Sequence, residues 1–432
     1  MSKIFKNTLK NFTKLSFSSS ISSLLNLLCI FLINIILNKS DFGFFILTIT
    51  YLEILDSFFN IKCWKAFIKF SVDLKHKSKN ISYLFYNSIV IDFFFVIVTF
   101  SISLICFDFY SKFYTFPENI EDTLRLLLLS LLFKTFDVYL GLIRLYDNFI
   151  HQVRIELSQS LLYATGIIFI YFLNGTLSNI VYIYLFCQCF GMFFKLYSIY
   201  LNAKKEQFIS FKEYLKNKEF KTIEFSFIKF ISYNNFTDSI RVISRRIDFV
   251  IIGHLVNPSA VGIYKLVISI SDILGRLANP LYQVMFPEIA KLVAKKQFDQ
   301  LSLYIKKITR TLTVFCLVYL TVFFVFGESV LDLLIGNDSN EVFYFASFQS
   351  LIIAGSIIIF YMPLLMDSFG KVKEAFLNQF YASAIYFAIL YFLIERFEIM
   401  GAIISYFIYY LAWTILTFYS LPKFTFINEK AN

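Results

Sequence analysis

Charged residues are scarce in this chain, at 16% of 432 positions against 58% hydrophobic, and mean hydropathy is +0.67. A soluble core cannot absorb that much apolar sequence, so a soluble globular protein is excluded. Ten-residue segments of alternating polarity are missing, which excludes a membrane β-barrel. Histidine is rare: His76 and His151 fall in basic loops and His254 at a helix end, none at a nucleophile or metal spacing. The six cysteines lie scattered in or beside apolar segments. In Cys187-x-Cys189 the two thiols diverge by about 200° on a helix, so neither a metal site nor a disulfide framework is expected. No loop is long enough for an extramembrane domain, so an enzyme or a cofactor-bearing domain is not expected and any chemistry lies in or at the membrane.

What the chain has is apolar runs of roughly 20 residues, the length of a bilayer-spanning helix. Hydropathy predicts twelve spans: 16–37, 41–63, 81–106, 122–143, 155–173, 179–201, 228–252, 260–287, 308–327, 342–366, 376–394 and 400–421. The net charge of +10 would suit nucleic acid, but the cations are topological. With the N-terminus inside, the segments on the cytoplasmic side hold 25 Lys and Arg against 3 on the other side, as the positive-inside rule requires. Both termini are therefore expected in the cytoplasm. Lys3, Lys6, Lys10 and Lys14 share a face of an interfacial helix leading uncleaved into the first span. The expected domains are a six-helix lobe over 1–201, an amphipathic cytoplasmic linker over 202–225 (Phe208, Phe211, Tyr214 and Leu215 among lysines), and a second six-helix lobe over 226–432.

Charge inside the spans is the unusual feature. The segment 236–256 reads as one helix on which Asp238, Arg241, Arg245 and Asp248 form a polar stripe, with Arg246 beside it. The next span repeats the design with Lys265, Asp272, Arg276, Asn279 and Gln283. Ionisable groups at membrane depth cost a few kcal/mol each, about 2.5–3.5 on insertion scales, and normally face a bundle interior or a watery path. Arg241, Arg245, Arg246, Lys265 and Arg276 suit a polyanionic headgroup such as a pyrophosphate, because a guanidinium pairs bidentately with phosphate. The same groups also fit an internal ion-pair network, and the two roles can coexist. Glu53, Asp56, Asp238, Asp248 and Asp272 are candidates for proton or sodium coupling or for ion pairing. Lys62, Lys65, Lys69, Arg125, Lys195 and Lys229 lie near helix ends and are expected to snorkel to the interface. Pro280, Pro287, Gly355 and Pro363 are expected to bend spans eight and ten.

At an offset of 219 residues, 40–60 lies over 259–279 with identities that include Gly43/Gly262, Leu47/Leu266 and Asn60/Asn279, and with Glu53 on Asp272. A parallel repeat would relate the two lobes and place substrate between them. The cationic side is expected mainly in the C-terminal lobe.

The patterns NKSDFGFFILTITYLEILDSFFN, around the first two spans, and RRIDFVIIGHLVNPSAVGIYKLVISISDILGRLANPLYQVMFPEIAKL, in spans seven and eight, resemble the polysaccharide biosynthesis flippases. This group includes O-antigen unit transporters of the multidrug/oligosaccharidyl-lipid/polysaccharide exporter (MOP) superfamily. The resemblance implies an all-α polytopic, MATE-like fold of about twelve helices in two lobes, a central cationic cavity and alternating access. It further implies a bacterial inner-membrane protein that moves an undecaprenyl-diphosphate-linked oligosaccharide from the cytoplasmic to the periplasmic leaflet. Partners would be membrane lipids, a coupling H+ or Na+, and the polysaccharide assembly machinery. A multidrug/cation antiporter of the same superfamily is the alternative, and an O-antigen polymerase a more distant one.

Overall fold

The computed structural model describes residues 3–73, 78–146, 148–216, 225–336 and 339–421. Every regular element among them is helical, as a backbone in lipid demands. The chain divides into two compact units, Met1–Val250 and Ile251–Asn432.

The first unit holds α1 (Lys3–Ile36), α2 (Lys39–Phe59), α3 (Trp64–Asp73), α4 (Ser78–Phe113), α5 (Glu118–Arg125), α6 (Leu129–Leu132), α7 (Val138–Leu145), α8 (Phe149–Phe172), α9 (Leu177–Lys205), α10 (Phe211–Lys216), α11 (Phe225–Ile243) and the start of α12 (Ile247–Leu255). Within it α1 runs along α8, α8 along α9, α2 against α4 and α11, and α3 against α7. The second unit holds the rest of α12, then α13 (Pro258–Ala294), α14 (Phe298–Ile335), α15 (Ser339–Ile358), α16 (Tyr361–Ser368) and α17 (Val372–Ser420). There α13 packs on α15, α14 and α16, and α17 packs on α15 and α16.

The helices are built with polar groups inward. On α4, Asp92, Thr99, Ser103 and Ser111 are buried, while Phe93, Phe94, Ile97, Ile105 and Phe109 are exposed. Both sets recur at helical spacing, so α4 turns its apolar stripe outward, where lipid rather than water favours it.

Nine helical stretches among the described residues are long and apolar enough to cross a membrane. The difference from twelve has a local cause in each case. Expected span 122–143 is broken: α5 passes through a 3-10 turn (Leu126–Leu128) into α6, and the chain then turns through 133–137 before α7. Expected span 228–252 is also broken, by a turn over Ser244–Arg246 that separates α11 from α12. Spans 376–394 and 400–421 run together in α17, where Glu398 adopts φ 51°, ψ −128°. A Cβ on Gly401 would collide with the Leu393 carbonyl oxygen. Residues eight apart in a straight helix are separated by about 12 Å along the axis, so the chain doubles back here and α17 is two helices.

Gly355 and Pro363 flank a real interruption between α15 and α16, whereas α13 stays helical through Pro280 and Pro287. The repeat offset of 219 carries Asn38 onto Asn257, and each caps a helix. The Asn38 Oδ1 accepts the Asp41 N–H at 2.8 Å ahead of α2, and the Asn257 Oδ1 accepts the Ala260 N–H at 2.8 Å ahead of α13. Of the expected linker, α10 is tied down: the Tyr214 hydroxyl donates to Asn87 Oδ1 at 2.8 Å, and burial pushes its phenol above the usual range. Phe211 and Leu215 remain exposed; residues 217–224 lie outside the described set, as do the side chains of Lys3, Lys6, Lys10 and Lys14.

Candidate functional site

Two helix breaks in the first unit meet at one residue. After α2 closes at Asn60, residues 61–63 are non-helical before α3 starts at Trp64; after α6, residues 133–137 turn before α7 starts at Val138. Each restart exposes backbone N–H groups that need an acceptor. Asp92 on α4, 3% exposed, supplies both: one carboxylate oxygen accepts the Cys63 N–H at 3.1 Å and the other the Val138 N–H at 3.1 Å. The positive ends of two short helices thus share one buried anion. Gly141 lets α7 close on α3, since a Cβ there would lie 2.8 Å from Phe67 Cδ1 and 3.0 Å from the Trp64 carbonyl oxygen.

The breaks bring five charged side chains together. Asp56, one turn before the end of α2, accepts from Asn60 Nδ2 at 2.8 Å and pairs with Lys62 at 3.2 Å and Lys134 at 3.6 Å. Asp137, at the head of α7, pairs with Lys195 of α9 at 2.7 Å and Lys62 at 3.8 Å. Three ammonium groups therefore face two carboxylates, and the third carboxylate nearby, Asp92, already accepts from the two helix starts. The ion pairs thus gather three ammonium groups on two carboxylates. The side chains of Lys62 and Lys134 are 38% and 24% exposed. Tyr184 and Glu53 are also close enough to act electrostatically on Lys134.

A second rank of contacts ties α11 to this floor. Lys65 pairs with Asp238 at 2.5 Å, the Asn235 Oδ1 accepts the Lys62 N–H at 3.0 Å, and Ser239 donates to the Ser57 carbonyl. In the turn after α11, Arg246 Nε pairs with Glu53 at 2.6 Å. The Arg144 guanidinium lies 4.2 Å from the Trp64 ring centroid and Lys195 5.4 Å from that of Tyr139, placing aromatic faces over cations.

Of the residues singled out in the sequence, Glu53, Asp56, Asp238 and Arg246 enter this network. The single stripe expected over Asp238, Arg241, Arg245 and Asp248 is divided by the turn: the first two sit on α11, Arg245 is exposed in the turn, and Asp248 is buried in the first turn of α12. There the Asp248 carboxylate accepts the Phe249 N–H at 2.9 Å, a favourable place for an anion. Lys265 and Asp272 are half-buried on α13 in the second unit, and the side chains of Arg241 and Arg276 lie outside the described set. Lys62, Lys65 and Lys195, expected to snorkel, are held in ion pairs instead. Asp92 and Asp137 escaped notice in the sequence. The signal available was a lone acid in IVIDFFFVIV and the Lys134-x-x-Asp137 pair inside an otherwise apolar run.

The family described as polysaccharide biosynthesis protein matches residues 35–343 of the chain. The chain belongs to that family. Among curated protein sequences none matches. Solved structures do, at the level of fold. An inward-facing multidrug resistance MATE family transporter of the MOP superfamily aligns at TM-score 0.73 with 11% identity, over 92% of this chain and 93% of that one. A MATE transporter of Vibrio cholerae aligns at 0.62 and 13%, over 96% and 98%. A MOP superfamily transporter from Pyrococcus furiosus, described as having a binding pocket of reverse polarity, aligns at 0.61 and 13%, over 95% and 95%. The polysaccharide biosynthesis protein thus has the MATE fold, and the all-α polytopic class expected from its sequence holds.

Proposed function

We propose that this polysaccharide biosynthesis protein is a flippase for a polyprenyl-diphosphate-linked oligosaccharide, and that the lysine cluster takes the diphosphate. The observation that carries the reading is the gathering of three ammonium groups, Lys62, Lys134 and Lys195, around Asp56 and Asp137. Paired carboxylates hold the lysines in place, and a diphosphate competes for those lysines with stronger, multiply charged acceptors. A cationic drug finds no unpaired acid in this cluster, which favours an anionic substrate over multidrug/cation exchange.

The substrate crosses unmodified, so the protein is a transporter rather than an enzyme. Alternating access, coupling to H+ or Na+, residence in a bacterial inner membrane with both termini cytoplasmic, and an O-antigen-type sugar complete the reading. Arg246 takes part through Glu53, and Glu53, Asp56 and Asp238 act as ion-pair partners. Arg241, Arg245, Lys265 and Arg276 are proposed to contact anionic substrate within their own units, and Asp248 and Asp272 to pair or couple.

The test is a sealed-vesicle assay with a fluorescent lipid-diphosphate oligosaccharide. Unmodified probe should reach the far leaflet with wild-type protein and stay behind with Lys62→Gln/Lys134→Gln. Equal translocation by that variant, a chain-lengthened product, or transport of a cationic dye in place of the probe each overturns the reading.

A further inference from the structure

In the second unit, a cavity of about 450 Å³ opens on the early turns of α14, lined there by Lys306, Thr309, Arg310, Thr313 and Val314 and closed by Tyr361 of α16. Lys306, Thr309, Arg310 and Thr313 stand 3, 4 and 7 residues apart, so one helix face presents two cations and two hydroxyls together. Lys306 and Arg310 are exposed. Thr309 Oγ1 is buried and has no hydrogen-bond partner among the described residues, a hydroxyl donor held where an acceptor is wanted. Behind it, Ile305 and Tyr361 belong to a packed core with Leu301, Leu364 and Leu365, which fixes the back wall.

The same helix then turns apolar without interruption. Val314, Leu317, Val318, Val322 and Val325 are each more than half exposed, and the eight residues from Lys306 to Val314 cover about 12 Å. That is a cationic, hydroxyl-bearing head leading straight onto a bare apolar strip. A free phosphate would use only the head. A phospholipid uses both, with the ammonium and guanidinium on its phosphate and its chains along the strip.

We propose that this cavity is a binding site for one anionic glycerophospholipid, its phosphate held by Lys306, Arg310 and the Thr309 hydroxyl. The site shares no residue with the lysine cluster and stands whether or not that cluster takes a diphosphate.

The experiment titrates purified full-length protein in neutral detergent with phosphatidylglycerol, phosphatidylcholine, undecaprenyl phosphate and inorganic phosphate, reading retained lipid by native mass spectrometry and the unfolding temperature alongside. Wild-type protein should retain one phosphatidylglycerol in preference to phosphatidylcholine. Lys306→Gln/Arg310→Gln should weaken that retention roughly tenfold or more, from the loss of two basic contacts to an anionic headgroup, and Thr309→Val should weaken it less. The lipid-free unfolding temperature of each variant reports its folding, and Arg310→Gln alone serves if the double variant is unstable. Equal retention by wild type and a folded variant overturns the proposal, as does equal retention of phosphatidylcholine. Displacement of phosphatidylglycerol by equimolar undecaprenyl phosphate assigns the site to a carrier lipid instead, and the same shift with inorganic phosphate reduces it to an anion site; both overturn it.

Discussion

Asp92 accepts the backbone N–H of Val138 at 3.1 Å across 46 residues of sequence, while its other oxygen holds Cys63. That pair of bonds is what makes two interrupted helices tolerable inside a membrane unit, because each restart would otherwise leave a donor without an acceptor. Asp92→Ala should therefore cost about 1–3 kcal/mol for each orphaned N–H, seen as a fall in unfolding temperature and faster proteolysis in detergent. Asp92→Asn keeps one carbonyl acceptor and should lose about half as much. If Asp92→Ala melts like wild type, the breaks are held by something else.

Lys65 and Asp238 offer a cleaner test of how α11 is fixed to α3. Both side chains are partly exposed, at 33% and 42%, so the pair should be worth less than about 1 kcal/mol in stability. Its effect on transport should be larger than that figure suggests, since the pair ties α3, which follows Lys62, to α11, which leads to Arg246. Either single reversal, Lys65→Asp or Asp238→Lys, should slow translocation, and the double reversal should restore most of it. Failure of the double variant to recover would show that the residues act separately.

Continuous helices were legible in the sequence because hydropathy averages over about 19 residues and their apolar runs fill such windows. Expected 155–173 and 179–201 correspond to Phe149–Phe172 and Leu177–Lys205. The same averaging erases a three- to five-residue turn, so 122–143 and 228–252 read as unbroken. Neither turn carries proline or glycine to announce it. The one at 133–137 is stabilised from 46 residues away by Asp92, and a remote acceptor leaves no local mark. The site was half legible for the same reason. Glu53 and Asp56 stood out as acids in a span, but Lys62, Lys65 and Lys195 resembled ordinary helix-end cations until the breaks brought carboxylates to them.

Close packing of α7 on α3 depends on the missing side chain at Gly141. Gly141→Ala places a methyl group 2.8 Å from Phe67 Cδ1 and 3.0 Å from a backbone oxygen. Overpacking of this kind costs about 1–3 kcal/mol, and the shift should also displace Asp137 from Lys62. Gly355→Ala is the control: among the described residues nothing lies within 4 Å of its Cβ, and it sits in α15. That change should stabilise by roughly 0.5–1 kcal/mol through helix propensity and leave transport unchanged. Thermal unfolding of the two variants side by side should move in opposite directions.

Glu398 holds φ 51° and ψ −128° at the point where α17 doubles back. A non-glycine residue in that region carries strain of about 1–3 kcal/mol, tolerated only when the surroundings enforce it. Close by, the Leu393 carbonyl stands against Gly401 with no room for a Cβ. Glu398→Gly should therefore raise the unfolding temperature, since glycine reaches the same backbone angles without a steric penalty. Gly401→Ala cannot be accommodated by rotating a side chain, because the obstacle is backbone. It should abolish the reversal and leave the last two spans misassembled, detected as loss of folded protein on gel filtration. A Glu398→Gly variant that melts lower would mean that the carboxylate, not the backbone angle, is what this turn requires.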